Sequence, residues 1–220
     1  MNSASEIIDR LKSLASPANV EGMARFGINS KDTLGISIPV LRKVAKEVSG
    51  DHELALELWE SGLHEARILA AFIDDPRLVT EEQMEVCVAD FDSWDVCDQV
   101  CGSLFDKTPF AFQKAIQWAE REEEFVRRAG FAMMAMLAWH DKEASNEDFM
   151  PFFPLMVRYA ADPRNFVKKA INWALRQAGK RNSVLRSEAI ITANEILKLD
   201  SKTARWIASN AIKELRNKKF

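Results

Sequence analysis

With 220 residues, 47% hydrophobic and 29% charged, the chain can bury a sizeable core in one compact domain or two tightly joined ones. No apolar run approaches the ~20 residues needed to span a bilayer, and the amino-terminal stretch MNSASEIIDRLKS lacks a signal-peptide core, which argues against a membrane protein and predicts a cytoplasmic one. The formal net charge of -3 hides a segregation: residues 1–162 carry 16 Lys/Arg against 29 Asp/Glu, whereas residues 163–220 carry 14 against 4, a basic quarter that points to an anionic partner.

Strand signals are nearly absent, with 8 Gly and no Asn-Gly or Asp-Gly hairpin turn. Helical periodicity recurs instead. SIPVLRKVAKEV opens the series, with Ser37 as N-cap, Pro39 in the first turn and Val40, Leu41 and Val44 at helical spacing. Amphipathic blocks follow at 53–61, 64–73, 81–90, 93–106, 109–120, 123–139, 146–161, 164–180, 184–198 and 202–217. Short links such as DDPRLVT, DKTPF and ADPRN join them. Three of the blocks, HEARILAAF, FVRRAGFAMMA and FVKKAINWALR, align on Arg67, Arg128 and Lys169, the last two 41 residues apart. That period fits an all-α helical solenoid of the HEAT or armadillo type, whose inner helices line a concave face. Residues 1–220 then form a single repeat domain, with an irregular helical bundle as the alternative.

Along this frame, DSWDVCD (92–98) places Trp94 and Asp98 one turn apart on one helix face. Asp92 or Ser93 can cap that helix, and Asp95 can neutralise its N-terminal dipole. Asp98 lies a turn further in, where capping no longer accounts for it; the plain reading is an exposed acid or one paired with Arg128. Cys87, Cys97 and Cys101 are an odd number and fit buried thiols in a reducing compartment. Cys97 and Cys101 have the spacing of paired ligands, but His52, His64 and His140 are scattered, so no metal site is expected.

The helix NFVKKAINWALRQAGKRN puts Lys169, Trp173, Arg176 and Lys180 on one face and Val167, Ala170, Ile171, Ala174 and Ala178 largely on the other. Seven basic residues and no acidic one lie between Arg164 and Arg186. Like charges at i, i+4 repel, so an all-cationic face holding an aromatic suits a phosphate backbone with a base or sugar nearby. KTARWIASNAIKELRNKKF adds six cations against one Glu. No Gly-rich phosphate loop, G-x-S-x-G, H-E-x-x-H or paired C-x-x-C occurs, so nucleotide hydrolysis, serine hydrolysis and zinc chemistry lose weight.

SWDVCD, FVRRAGF and FVKKAINWALRQAGKR, in this order on an all-helical chain, resemble the AlkD-like DNA alkylation-repair glycosylases, built from HEAT-like repeats. The resemblance runs from GMARFGI and LGISIPVLRK to the basic tail. It implies hydrolysis of the N-glycosidic bond of positively charged N3- or N7-alkylpurines in duplex DNA, by a monomer needing no metal or organic cofactor. Carried over by position, it makes Asp98 the catalytic carboxylate and places Trp94, Arg128 and Trp173 at the DNA, with Lys169, Arg176 and Lys180 on the basic helix. Arg128 would hold a phosphate and steady Asp98 in its ionised form. Phe26 stands where some members carry Tyr, a departure that removes a hydroxyl contact. A HEAT-like module that binds distorted DNA or RNA without cutting it is the alternative, and a protein-interaction solenoid is a third class, disfavoured by the cations on the proposed inner helix.

Overall fold

The computed structural model describes residues 3–48 and 50–217, and every regular element among them is helical. The chain divides into two compact units, residues 1–108 and 109–220.

Unit one holds α1 (Ala4–Ser13), α2 (Pro17–Arg25), α3 (Ile38–Glu47), α4 (His52–Glu60), α5 (His64–Ile73), α6 (Glu81–Ala89), α7 (Trp94–Ser103) and a 3-10 turn at Phe105–Lys107. Two helices thus precede the first predicted one. A capping box of Ser3 and Glu6 starts α1, which buries Ile7 and Leu11 one turn apart. Pro17 starts α2, none of whose residues is buried. At α3 Ser37 occupies the N-cap position as predicted, but its side chain makes no capping hydrogen bond. The predicted block at 93–106 is shorter than expected: Leu104, at φ -128 and ψ -60, ends α7 before the 3-10 turn.

Buried on nearly every side, α5 is the hub of this unit and packs on α3, α4 and α7. Glu65 in its first turn is fully buried, and its carboxylate accepts the backbone N–H groups of Leu34 at 2.8 Å, Gly35 at 2.7 Å and Ile36 at 3.1 Å. Three such bonds compensate the desolvation of the charge and fix the link from α2 to α3. Gly35 is required there twice over. Its φ is +78, and a Cβ would meet the Ser16 carbonyl oxygen at 2.3 Å.

Unit two holds α8 (Ala111–Ala119), α9 (Glu124–His140), α10 (Asn146–Phe149), α11 (Phe152–Tyr159), α12 (Asn165–Arg181), α13 (Ser183–Leu197) and α14 (Lys202–Asn217). The predicted block at 146–161 is two helices, broken where Pro151 follows Met150. The close approach of α8 and α9 rests on Gly130 of the FVRRAGF motif. A Cβ there would lie 2.3 Å from the Ala119 nitrogen and 2.9 Å from the Ala115 oxygen.

Side-chain to backbone bonds tie the long helices of this unit in register. Arg128 Nη1 donates to the Phe166 carbonyl at 2.7 Å near the start of α9 and α12, and Arg181 donates to the Asp141 and Ala144 carbonyls near their ends. The two helices therefore run parallel. The same holds for α12 and α14, where Asn172 Nδ2 donates to the Ile207 carbonyl at 3.0 Å and Arg176 Nη1 to Asn210 Oδ1 at 3.3 Å. Parallel neighbours separated by return helices are the packing that a HEAT-type repeat requires.

Candidate functional site

The predicted site residues fall into two groups, one in each unit. In unit one, α7 buries Val96, Cys97, Val100 and Cys101, which leaves Trp94, Asp95, Asp98 and Gln99 on its partly exposed face. Asp98 thus shares a face with Trp94, as the helical period predicts. The inner face is chemically quiet: all three cysteines are buried, burial pushes the Cys87 thiol up to about 12, and burial together with Cys97 and Asp98 raises the Cys101 thiol well above its ordinary value. Among the described residues no group of three His, Cys, Asp or Glu is arranged to hold a metal ion.

The start of α7 is tied to the segment that follows α2. Trp94 Nε1 donates to the Phe26 carbonyl at 3.1 Å, the Asn29 backbone N–H donates to Ser93 Oγ at 2.9 Å, and Asn29 Nδ2 donates to Asp92 Oδ2 at 2.6 Å. Ser93 is the N-cap residue, yet its hydroxyl serves Asn29 rather than the helix end. Phe26 is 74% exposed while its backbone carbonyl positions the indole. Beside Trp94 opens an apolar cavity of about 630 Å³, walled also by Met23, Phe26, Ile28 and Ile36.

Asp95 does more than offset a helix dipole. Its Oδ2 lies 2.8 Å from His64 Nε2, and both side chains are nearly enclosed. Burial opposes an imidazolium at His64, but the hydrogen bond and charge of Asp95, with Glu65 and Asp92 behind it, outweigh burial and raise its pKa. The Asp95 Oδ1 atom is buried with no hydrogen-bond partner. No spacing in the sequence links residues 64 and 95, so helical periodicity carries no trace of this pair.

In unit two, α12 buries Val167, Ala170, Ile171, Ala174 and Ala178, the apolar face that its spacing predicts. On the other face Lys169 is exposed, Trp173 half-buried, and Arg176 and Lys180 partly covered. Two of those three cations are answered from α14. Arg176 Nη1 lies 3.1 Å from Glu214 Oε2, and Lys180 pairs with Oε1 of the same carboxylate. The one acid in the basic tail thus sits on the predicted binding face, a neutralisation that counting charges along the chain does not reveal. Arg128 is only 5% exposed, and its bond to Phe166 joins two helices. Lys218 and Lys219 of the basic tail lie outside the described residues.

No described helix is long and apolar enough to cross a membrane. Residues 7–215 match the family described as DNA alkylation repair enzyme. The uncharacterized protein Lin0241 of Listeria innocua is 29% identical over 125 residues, which cover 55% of this chain and 56% of that relative, so the match spans little more than half the relative's length. A solved structure superposes with a TM-score of 0.76 at 18% identity, covering 96% of this chain and 95% of its own; it is described as a new family of proteins related to the HEAT-like repeat DNA glycosylases with affinity for branched DNA structures. That likeness identifies the fold as HEAT-like, and the family match covers nearly the whole chain: this protein belongs to the DNA alkylation repair enzyme family.

Proposed function

We propose that the protein is a monofunctional DNA glycosylase that hydrolyses the N-glycosidic bond of cationic N3- or N7-alkylpurines in duplex DNA, acting as a monomer without metal or organic cofactor. The observation that carries this reading is the partly exposed carboxylate of Asp98, one turn beyond an indole whose Nε1 is fixed by the Phe26 carbonyl, in a chain of this family.

The chemistry asks for little else. An alkylated purine already carries positive charge and leaves as a neutral base, so no acid need protonate it. What requires stabilisation is the oxocarbenium charge that develops on the deoxyribose, and a held carboxylate supplies that while orienting the attacking water. Asp98 has this role. Trp94 and Trp173 present aromatic surface to the sugar or cationic base, worth about 0.5 to 2 kcal/mol each. Lys169, Arg176 and Lys180 hold backbone phosphates, and the place of Arg128 in the FVRRAGF motif assigns it a further one.

The test is release of N7-methylguanine and N3-methyladenine from methylated duplex DNA. Wild type is expected to release both above the spontaneous rate, and Asp98→Asn to release them about 10²-fold more slowly or less. Spontaneous rates from both proteins, with DNA binding intact, would end the catalytic reading. A second reading, a binder of distorted DNA or RNA without hydrolysis, then takes its place; it draws on the superposable structure, whose family has affinity for branched DNA.

A further inference from the structure

The outward face of α14 is unlike any other in unit two. Lys202, Arg205, Trp206, Ser209, Lys213 and Arg216 are all exposed, and their spacing places them on one side of the helix, while Ala204, Ile207, Ala208, Ala211 and Leu215 bury the other. Lys168 of α12 lies with Nζ 4.9 Å from the centroid of the Trp206 ring, and exposed Lys169 follows it. Trp206 remains 42% exposed.

Little negative charge answers this face. Glu214 is committed to Arg176 and Lys180, and Asp200 reaches Arg205 only at 3.9 Å from a fully exposed position. Lys169, Lys202, Lys213 and Arg216 form no ion pair among the described residues. Like charges three and four positions apart repel one another, and an uncovered indole leaves apolar surface in water. An anionic polymer with flat apolar rings relieves both.

We propose that the α14 face, with Lys168 and Lys169, binds a single-stranded stretch of nucleic acid, its phosphates along the cations and one unstacked base on Trp206. From Lys202 to Arg216 the helix rises about 21 Å, enough to follow several nucleotides. Away from a lesion, duplex DNA keeps its bases stacked inside and offers Trp206 no base face, whereas a single strand offers a π-face at every residue. The inference rests on the nucleic-acid reading above but not on hydrolysis.

Fluorescence anisotropy tests it with Asp98→Asn protein, so that no probe is hydrolysed, on a labelled blunt duplex and on the same duplex carrying a single-stranded arm. Trp206→Ala is expected to weaken binding of the armed probe about tenfold and leave the blunt one unchanged, with Trp206→Phe restoring most of the loss. Lys202→Glu with Arg205→Glu should flatten the salt dependence of the armed probe. Circular dichroism confirms that each variant keeps its helices. Equal effects of Trp206→Ala on both probes, no effect on the armed one, or inorganic polyphosphate competing as well as a free single strand overturns the proposal. No base release by wild type from methylated duplex DNA, with the binding series as expected, would count only against the catalytic reading.

Discussion

The two units put charge to different uses. In unit one, acids tie neighbouring elements together: buried Glu65 accepts from three backbone N–H groups, Asp95 pairs with His64, and the exposed Asp90 accepts from both Trp59 Nε1 and Arg67. In unit two, cations predominate and face outward along α12 and α14, with Glu214 answering two of them. Asp162 is the exception there. Burial works against its charge, yet hydrogen bonds from Arg164 and Arg127 prevail and lower its pKa to about 2. Inward charge fixes loops, and outward charge is available to a partner. Unit one thus fixes the start of α7 through such pairs, and unit two leaves Lys169, Lys202, Lys213 and Arg216 exposed on α12 and α14.

The largest expected effect tests the inward network. Glu65→Gln keeps the shape but turns an amide NH₂ toward backbone donors, and should cost about 3 kcal/mol, read as a lowered urea midpoint. A loss below roughly 1 kcal/mol would mean that water replaces the carboxylate and that the loop does not depend on it.

Glycine separates the units next. Gly130→Ala drives a Cβ into the Ala119 backbone and should destabilise by about 1–3 kcal/mol, despite alanine's better helix propensity. Gly22, inside α2, has nothing within 4 Å of where its Cβ would stand. The same substitution there should stabilise, by up to about 1 kcal/mol. Thermal unfolding of the two variants should move in opposite directions, and movement in the same direction would erase the contrast in packing.

These cases also mark what is legible in the sequence. The faces of α7 and α12 follow from helical period alone, because burial of Val96, Val100, Val167 and Ile171 decides which side is left for Asp98 or Lys169. The signal for α1 is present too, in Ser3, Glu6, Ile7 and Leu11, whereas α2 buries nothing and so leaves no apolar stripe to read. What escapes is pairing at a distance. Glu65 with residues 34–36, His64 with Asp95, and Glu214 with Arg176 join residues about 30 to 40 apart, and only the packing of one helix on another brings them together.

Glu214→Gln sharpens the outward half. Releasing Arg176 and Lys180 should tighten binding to duplex DNA severalfold at low salt, and steepen the slope of log K against log salt by up to about 0.9 for each phosphate newly contacted. An unchanged slope would show that neither cation touches the backbone, leaving Lys169 and the α14 face as the contact.

The smallest effect is a pH dependence in unit one. The folded pKa of His64 lies above its usual 6.5, because Asp95, with Glu65 and Asp92, outweighs the cost of burial. A group whose pKa is raised by folding binds its proton more tightly in the native state, so its contribution is complete below the unfolded value of about 6.5 and is lost as pH rises through the folded one. His64→Gln can still donate to Asp95 but does not titrate. The urea midpoints of wild type and variant should therefore differ most at the acidic end of the range from pH 6 to 9 and converge as pH rises. Parallel curves would show that folding leaves the affinity of His64 for its proton unchanged and that Asp95 does not bind it as an imidazolium.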